Sequence, residues 1–326
     1  MTHAVRIHSN GGPEVLQWEK VEVPEPAAGD AIVRQIAAGL NFIDVYFRTG
    51  LYKVPAFPSV IGNEGAGVVE AVGDGVTEVE VGDRVAYCMS LGSYTQRRLI
   101  PAKQLVKIPK GISEQQAAAV MLKGCTVQYL IRQTYPVQKG ETVLFHAAAG
   151  GCGLIACQWL KHLGVRVIGT VGTAEKAELA RAHGCDHPIV YTEDNFVDRV
   201  KELTDGRGVP VVYDSVGKDT FNDSLECLQP RGLMVSFGNA SGAVEPFAPA
   251  LLAAKGSLFL TRPTLATYTA TRADLEKTST DLFGVLSSGA VTVEVNQTYP
   301  LENAAQAHRD LEARKTTGST ILLTGV

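Results

Sequence analysis

The stretch TVLFHAAAGGCG, residues 142–153, decides how the rest of the chain is read. Thr142 to His146 is an apolar run of strand length, and Leu154 to Leu163 behind it reads as a helix that Gly164 stops. Between them Ala147, Gly150 and Gly153 stand at three-residue spacing, a variant of the dinucleotide-binding fingerprint. Backbone N–H groups at a helix N-terminus must approach a pyrophosphate at such a turn, and a Cβ would obstruct them. Gly153 also lets the helix pack closely on its strand. A glycine triplet alone is often only a tight turn. Here a strand precedes it, a helix follows it, and the same alternation continues on the C-terminal side.

Beyond this stretch, Val165 to Thr170 reads as a strand and Ala174 to His183 as a helix ended by Gly184. Val209 to Tyr213, Leu233 to Phe237 and Ser257 to Leu260 complete the strands, with a helix over Thr220 to Leu228. Strands alternating with helices between about Gly140 and Thr261 imply right-handed βαβ units and a doubly wound parallel sheet. The flanks read differently. Up to about Lys123 the chain looks like short strands and turns: Ala4 to Ile7, Ala31 to Ile36, Gly67 to Val72, and a strand after Gly82-Asp83-Arg84-Val85. Prolines at 24, 26, 55, 58, 101 and 109 keep helices short there, so paired sheets or a partly opened β-barrel are expected. After Arg262 the pattern predicts helices over Asp274 to Ser287 and Ala304 to Arg314, and strands at Val291 to Val295 and Thr320 to Leu323.

Composition narrows the function classes. With 30 Lys+Arg against 34 Asp+Glu, and a formal net charge of -4, there is no basic footprint for nucleic acid or an anionic membrane surface. The 33 glycines are about 10% of the chain where ~7% is usual, and they cluster. Cysteines at 88, 125, 152, 157, 185 and 227 include no Cys-x-x-Cys pair, so neither a disulfide framework nor a zinc ribbon is expected. MTHAVRIHSN lacks the apolar stretch of a signal peptide, and the expected location is the cytoplasm.

The end of the second strand of the βαβ series speaks to the nucleotide. A free ribose 2′-OH usually meets an Asp or Glu there. Val165 to Val171 instead runs into Gly172-Thr173-Ala174-Glu175-Lys176. Gly172 leaves room, Thr173 offers a hydroxyl, and Lys176 supplies a point charge for a 2′-phosphate. NADP is the expected cofactor; the alternative is an NAD enzyme with Glu175 on the ribose.

The segments AAGLNFIDVYFRTGLY, GNEGAGVVEAVG and GDRVAY, with AAAGGCG, resemble the medium-chain dehydrogenase/reductase superfamily. VVYDSVG, RGLMVSFGNASG and KGSLFLTRP are similar to the zeta-crystallin-like quinone oxidoreductases, in particular the bacterial NADPH:quinone reductases. That resemblance implies an α/β chain with a GroES-like catalytic domain over residues 1–123 with 266–326 and a Rossmann domain over 124–265. It also implies a homodimer joined along the Rossmann sheet edge at Ser257 to Leu260. Where the superfamily's zinc enzymes carry a cysteine and a histidine, this chain has Asn41 and Asn63, both poor zinc ligands. No four-cysteine structural lobe occurs around residues 90 to 115, so a zinc-independent enzyme is implied. Related reductases often have Thr or Ser at the position of Asn63.

Carried over position by position, the resemblance puts Asn41, Tyr46, Tyr52 and Asn63 around the nicotinamide and the acceptor. Phe42, Ile43, Asp44 and Tyr129 would line the cofactor, with Gly150, Gly151, Cys152 and Gly153 at the pyrophosphate. Gly172, Thr173, Lys176 and Tyr191 would hold the 2′-phosphate end. Ser215 and Val216, then Phe237, Gly238, Asn239 and Ala240, then Pro263, Thr264 and Leu265, and finally Arg314 would complete the cofactor's surroundings.

Two constellations are set aside. His183, Cys185, Asp186 and His187 read as a surface loop between a helix and a strand. Tyr135-x-x-x-Lys139 has the spacing of a reductase Tyr–Lys pair, but Pro136 argues against the helix it needs. The function implied is NADPH-dependent reduction of a quinone. A reductase of enones or alkenals, and a crystallin-like NADPH-binding protein with little turnover, are the alternatives.

Overall fold

The computed structural model describes residues 2–326. They form two compact units: the chain up to Cys125 with Thr269–Ser287 and Val293–Val326, and Thr126–Tyr268 with Ser288–Thr292.

The first unit opens with β1 (Thr2–Ile7), β2 (Gln17–Val21) and β3 (Asp30–Gly39), then α1 (Phe42–Thr49) and β4 (Ser59–Val60). It continues through β5 (Glu64–Val72), β6 (Arg84–Cys88), β7 (Arg97–Pro101), β8 (Val106–Lys107) and the start of α2 (Glu114–Tyr129). The second unit runs β9 (Thr142–Phe145), α3 (Gly151–His162), β10 (Arg166–Val171), α4 (Ala174–Ala182), β11 (His187–Val190) and α5 (Phe196–Leu203). It closes with β12 (Val209–Asp214), α6 (Phe221–Glu226), β13 (Leu228–Ser236), α7 (Ala250–Ala254), β14 (Phe259–Thr261) and α8 (Leu265–Tyr268). The chain then returns to the first unit with α9 (Arg272–Ser287), β15 (Val295–Pro300), α10 (Ala304–Glu312) and β16 (Ser319–Leu323).

The first unit holds a three-stranded sheet, β2-β1-β4, and a larger one ordered β15-β16-β3-β5-β6-β8, with β7 also paired to β3. Alternate residues of β3 and its neighbours (Ala31, Val33, Val69, Val85, Ile100) point into one apolar cluster, the period of two expected of a sheet with one buried face. The second unit is a parallel sheet ordered β11-β10-β9-β12-β13-β14. Its strand order reverses between β9 and β12, the place where open α/β sheets bind ligands. Strands at the middle of such a sheet are covered on both faces, which explains why Val143 to Phe145 and Val211 to Tyr213 are continuously apolar and buried.

Several expectations need correction. The proline-rich first region contains α2, sixteen residues long, because Ser113 and Gln116 cap it reciprocally once Pro109 is passed. β11 and α5, unassigned from sequence, fill the space before β12. Cys185 is not on a surface loop: it is buried, and His187 already begins β11. The strand expected at Val291 to Val295 begins at Val295. Thr292 just before it has its backbone N–H and C=O satisfied by the Gln158 side chain, at 2.9 and 3.0 Å, instead of by a strand. Residues 288–292 accordingly belong to the second unit, whereas the expected division put them in the catalytic domain. Ser257 has a φ of +57°, so the edge strand starts two residues later, at Phe259. The helix leading to Tyr135 ends in a π-helical turn over Leu130–Thr134, and the residue before Pro136 is extended.

Candidate active site and nucleotide-binding loops

In the second unit, β9 passes through His146 and Ala147 into Gly150, which caps α3. Gly151 and Cys152 form its first turn, so their N–H groups are among the four that a helix leaves without internal partners. The glycines differ in what they permit. A Cβ on Gly153 would lie 2.3 Å from the Ala147 carbonyl oxygen and 2.5 Å from the Ala148 carbonyl carbon. A Cβ on Gly150 meets only the Ala147 oxygen, at 3.2 Å. Gly153 is therefore required by the protein's own packing, while a side chain on Gly150 would intrude mainly on whatever sits over the helix terminus. The loop forms a cradle of the kind a pyrophosphate needs.

At the end of β10, Gly172 lies under the Tyr191 hydroxyl: a Cβ there would be 2.9 Å from it. Thr173 caps α4 by accepting from the Lys176 N–H at 3.3 Å. Glu175 is exposed, and its own N–H together with the Thr173 hydroxyl holds its carboxyl below the usual range. After β12, Asp214 bends the chain. It accepts from the Val216 and Gly217 N–H groups at 2.7 and 3.1 Å and from the Thr220 hydroxyl at 2.8 Å. Gly238 packs against Ser215, and Ala240 N–H donates to its carbonyl at 3.1 Å, so these two predicted segments meet. Phe237 rests 5.9 Å from Phe145, centroid to centroid. Asn239 lies in the loop after β13, and Pro263 and Thr264 lead into Leu265 at the start of α8. Tyr129 is buried and stacked on Tyr268 at 4.5 Å.

In the first unit the residues standing at zinc-ligand positions form a hydrogen-bonded cluster. Asn41 caps α1, Phe42 and Ile43 are its first two residues, and Asp44 receives the Asn41 N–H at 2.9 Å. The Asn41 side-chain amide donates to Glu64 at 2.8 Å, and the Asn63 amide donates to Asp44 Oδ1 at 2.9 Å. Lys123 Nζ is 3.2 Å from the same Glu64 oxygen that takes the Asn41 amide, and Leu122 N–H donates to the other at 2.7 Å. Gly39 makes this possible, since a Cβ there would lie 2.1 Å from Glu64 Oε2. Burial pushes the Asp44 carboxyl up to about 7, against the hydrogen bonds from Asn63, Asn41 and Tyr94 that lower it. Tyr46 and Tyr52 meet edge to face at 5.3 Å, both half-buried. Arg314, beyond the end of α10, is exposed with a φ of +58°.

Five residues escaped the sequence reading: Glu64, Lys123, Tyr94, His308 and Arg48. No local pattern marks them. The sequence reading assigned no helix at α1, although a local signal for one is present: Asn41-x-x-Asp44 is a capping pair and Gly50 sits where a left-handed C-cap belongs, with a φ of +88°. Among the described residues no group of three or more His, Cys, Asp or Glu is disposed to hold a metal ion.

A nucleotide-binding parallel-sheet unit joined to a β-rich unit with a polar buried site defines the class, the medium-chain dehydrogenase/reductases. Comparison with known proteins agrees. The alcohol dehydrogenase GroES-like domain family matches residues 27–110 and the zinc-binding dehydrogenase family residues 151–279. The chain is 54% identical to a quinone oxidoreductase of Pseudomonas aeruginosa over 324 residues, 99% of this chain and all of that one. A crystal structure of Escherichia coli quinone oxidoreductase complexed with NADPH superposes with a TM-score of 0.97 at 50% identity, covering 98% of this chain and 99% of the other. A 2-haloacrylate reductase of a Burkholderia species is 47% identical over 99% of both chains. The chain belongs to the quinone oxidoreductase family.

Proposed function

We propose that this chain is an NADPH:quinone oxidoreductase that delivers reducing equivalents to an electron-poor conjugated carbonyl without a metal. The observation that carries the reading is full-length likeness, at about half identity, to quinone oxidoreductases, one of them solved with NADPH. The loop geometry supports it. Bound NADPH supplies the hydride. Gly151 and Cys152 offer N–H groups to its pyrophosphate and Gly150, whose own N–H donates to the Ala147 carbonyl at 2.9 Å, leaves the space above them open, while Gly172, Thr173, Lys176 and Tyr191 receive the 2′-phosphate. Ser215, Val216, the segment from Phe237 to Ala240 and that from Pro263 to Leu265 bound the nucleotide, with Tyr129 and Arg314 contributing further contacts. Asn41, Phe42, Ile43 and Asn63 face the nicotinamide. A hydroxyl from Tyr46 or Tyr52 donates to the acceptor oxygen as charge builds on it.

Glu64, which a zinc enzyme would turn toward its metal, instead has the Lys123 ammonium and the Asn41 amide against one oxygen. A cation already occupies that electrostatic role, which supports chemistry without zinc. The likeness to a 2-haloacrylate reductase favours one second reading, reduction of an activated double bond. NADPH oxidation followed with a panel of quinones, enones and 2-haloacrylates separates the two. Fast turnover with quinones alone supports the proposal, turnover confined to alkenes selects the second reading, and none at all leaves a binding protein.

The assembly we propose is a homodimer. β14 is an edge strand whose Phe259 and Leu260 are 62% and 36% exposed, an apolar edge suited to pairing with a second copy. The location we propose is the cytoplasm, a reading supported by six cysteines that are all free thiols. Among the described residues no helix is long and apolar enough to cross a membrane.

A further inference from the structure

The Asp44 carboxylate is enclosed, with none of its surface exposed, and its two oxygens have different tasks. Oδ2 accepts from the Asn41 backbone N–H at 2.9 Å and from the Tyr94 hydroxyl at 3.1 Å. Oδ1 accepts from the Asn63 amide at 2.9 Å. The donor sense of the Tyr94 bond is fixed from behind. Arg48 only donates, so its bond to His308 Nδ1 at 3.0 Å makes that nitrogen the acceptor. The His308 proton is then on Nε2 and points at the Tyr94 oxygen, 3.1 Å away, leaving the phenol proton for Asp44. Glu312 holds Arg48 with two bonds of 2.8 Å, and burial, with the Arg48 charge second, pulls His308 down to about 3, so the ring stays neutral. Every bond in this chain therefore has one possible direction. Asn63 is nearly fully buried, and its Nδ2 is committed to Asp44, so its Oδ1 faces away without a donor among the described residues.

We propose that Asp44 is a positioning residue that fixes the Asn63 amide with its carbonyl toward the ligand. Asn63 then accepts a hydrogen bond from a ligand N–H or O–H and is not a donor to the quinone oxygen, which leaves that task to tyrosine. Two sources carry such a donor: the carboxamide of the nicotinamide, or the hydroxyl of a hydroquinone product. The inference rests on the functional reading above for the identity of these ligands.

Asp44→Asn is a near-isosteric test with a defined outcome. The new Asn oxygen can take over the two bonds at Oδ2, and its NH2 then faces Asn63. Asn63 must flip its amide and present Nδ2 instead. Adding Asn63→Asp restores an acceptor at that position. The probes are NADPH, its reduced 3-acetylpyridine analogue, which keeps the carbonyl but lacks the amide N–H, and 1,4-hydroquinone. If the donor is the carboxamide, the wild type at pH 8 binds NADPH about tenfold more tightly than the analogue, Asp44→Asn abolishes that preference, and the double variant restores it. If the donor is the hydroquinone, the cofactor preference is unchanged, and inhibition by 1,4-hydroquinone weakens about tenfold in Asp44→Asn and recovers in the double variant.

A second arm needs no variant. Because Oδ2 already receives two donors, a proton on Asp44 goes to Oδ1 and faces Asn63, so the wild type at pH 6 should show the same altered preference as Asp44→Asn at pH 8. The other titratable or charged groups around Asp44 are Tyr94, with His308 and Arg48 behind it, and Glu64, paired with Lys123. A folded Asp44→Asn protein with every affinity unchanged overturns the inference, as does a wild type with identical preferences at pH 6 and 8. A wild type that binds no NADPH overturns the functional reading itself, and this inference with it.

Discussion

Asp44 shows how a single side chain ties stability to function. Its carboxyl titrates near 7 in the folded protein against an ordinary value of 3.8. Between those values the folded state holds a proton that the unfolded chain releases, so stability from this group is complete below about pH 4 and is lost as pH rises through 7. Asp44→Asn has no such titration. Urea midpoints should therefore show the variant gaining on the wild type from pH 4 to 7, by on the order of a few kcal/mol, with no further change above. A constant difference across that range would mean that burial does not raise the Asp44 carboxyl above its unfolded value. Lys176 is a second residue with a one-line test. In the proposed cofactor arrangement its ammonium meets a phosphate that NADH lacks, and a charge-assisted bond contributes ~1.5–3 kcal/mol, reduced here because the side chain is only half-buried. Lys176→Ala should weaken NADPH by about tenfold, leave NADH nearly unchanged, and lose its effect at high salt. Equal weakening of both cofactors would return Glu175 to consideration as the ribose ligand.

At the scale of elements, the loop between β9 and α3 separates two demands that the sequence presents as one. Gly153→Ala puts a methyl 2.3 Å from backbone, so the second unit should lose ~1–3 kcal/mol of stability, read as a lower melting temperature. Gly150→Ala meets one oxygen at 3.2 Å and keeps an ordinary φ of -83°, so its melting temperature should hardly move while NADPH affinity falls. The opposite assignment of the two effects would show that the loop is a structural turn. The central strands were legible because each carries an uninterrupted apolar run, and α3 because glycines at 150, 151 and 153 mark its start and Gly164 its end. β11 was not, because His187-Pro188-Ile189-Val190 sits at a sheet edge and is only partly apolar. α2 was hidden by small residues: Ala117, Ala118 and Ala119 are buried without advertising a face, and only the Ser113–Gln116 cap marks its start. Of the polar cluster, Asn41, Asp44 and Asn63 were legible through the family resemblance, whereas Glu64 was not singled out. Lys123, Tyr94 and His308 reach it from distant segments, and contacts between positions 64 and 123, or 94 and 308, leave no trace in local periodicity.

For the whole molecule, metal independence and assembly are the properties open to bulk measurement. The Lys123 charge beside Glu64 opposes a divalent ion, and both asparagine amides point their NH2 groups at carboxylates. Active purified protein should contain zinc well below one per chain and keep its activity after chelation. Stoichiometric zinc with activity that chelation removes and zinc restores would refute this. Light scattering should give a dimer, and Leu260→Lys should shift it toward monomer. The comparison to make before any other is kcat/KM for quinone reduction with NADPH and with NADH at pH 8 on the wild-type protein. NADPH should be preferred at least about tenfold, the ratio expected from one phosphate held by Lys176 and Tyr191. Preference for NADH, or no turnover with either nucleotide, would contradict the assignment of this chain as an NADPH:quinone oxidoreductase.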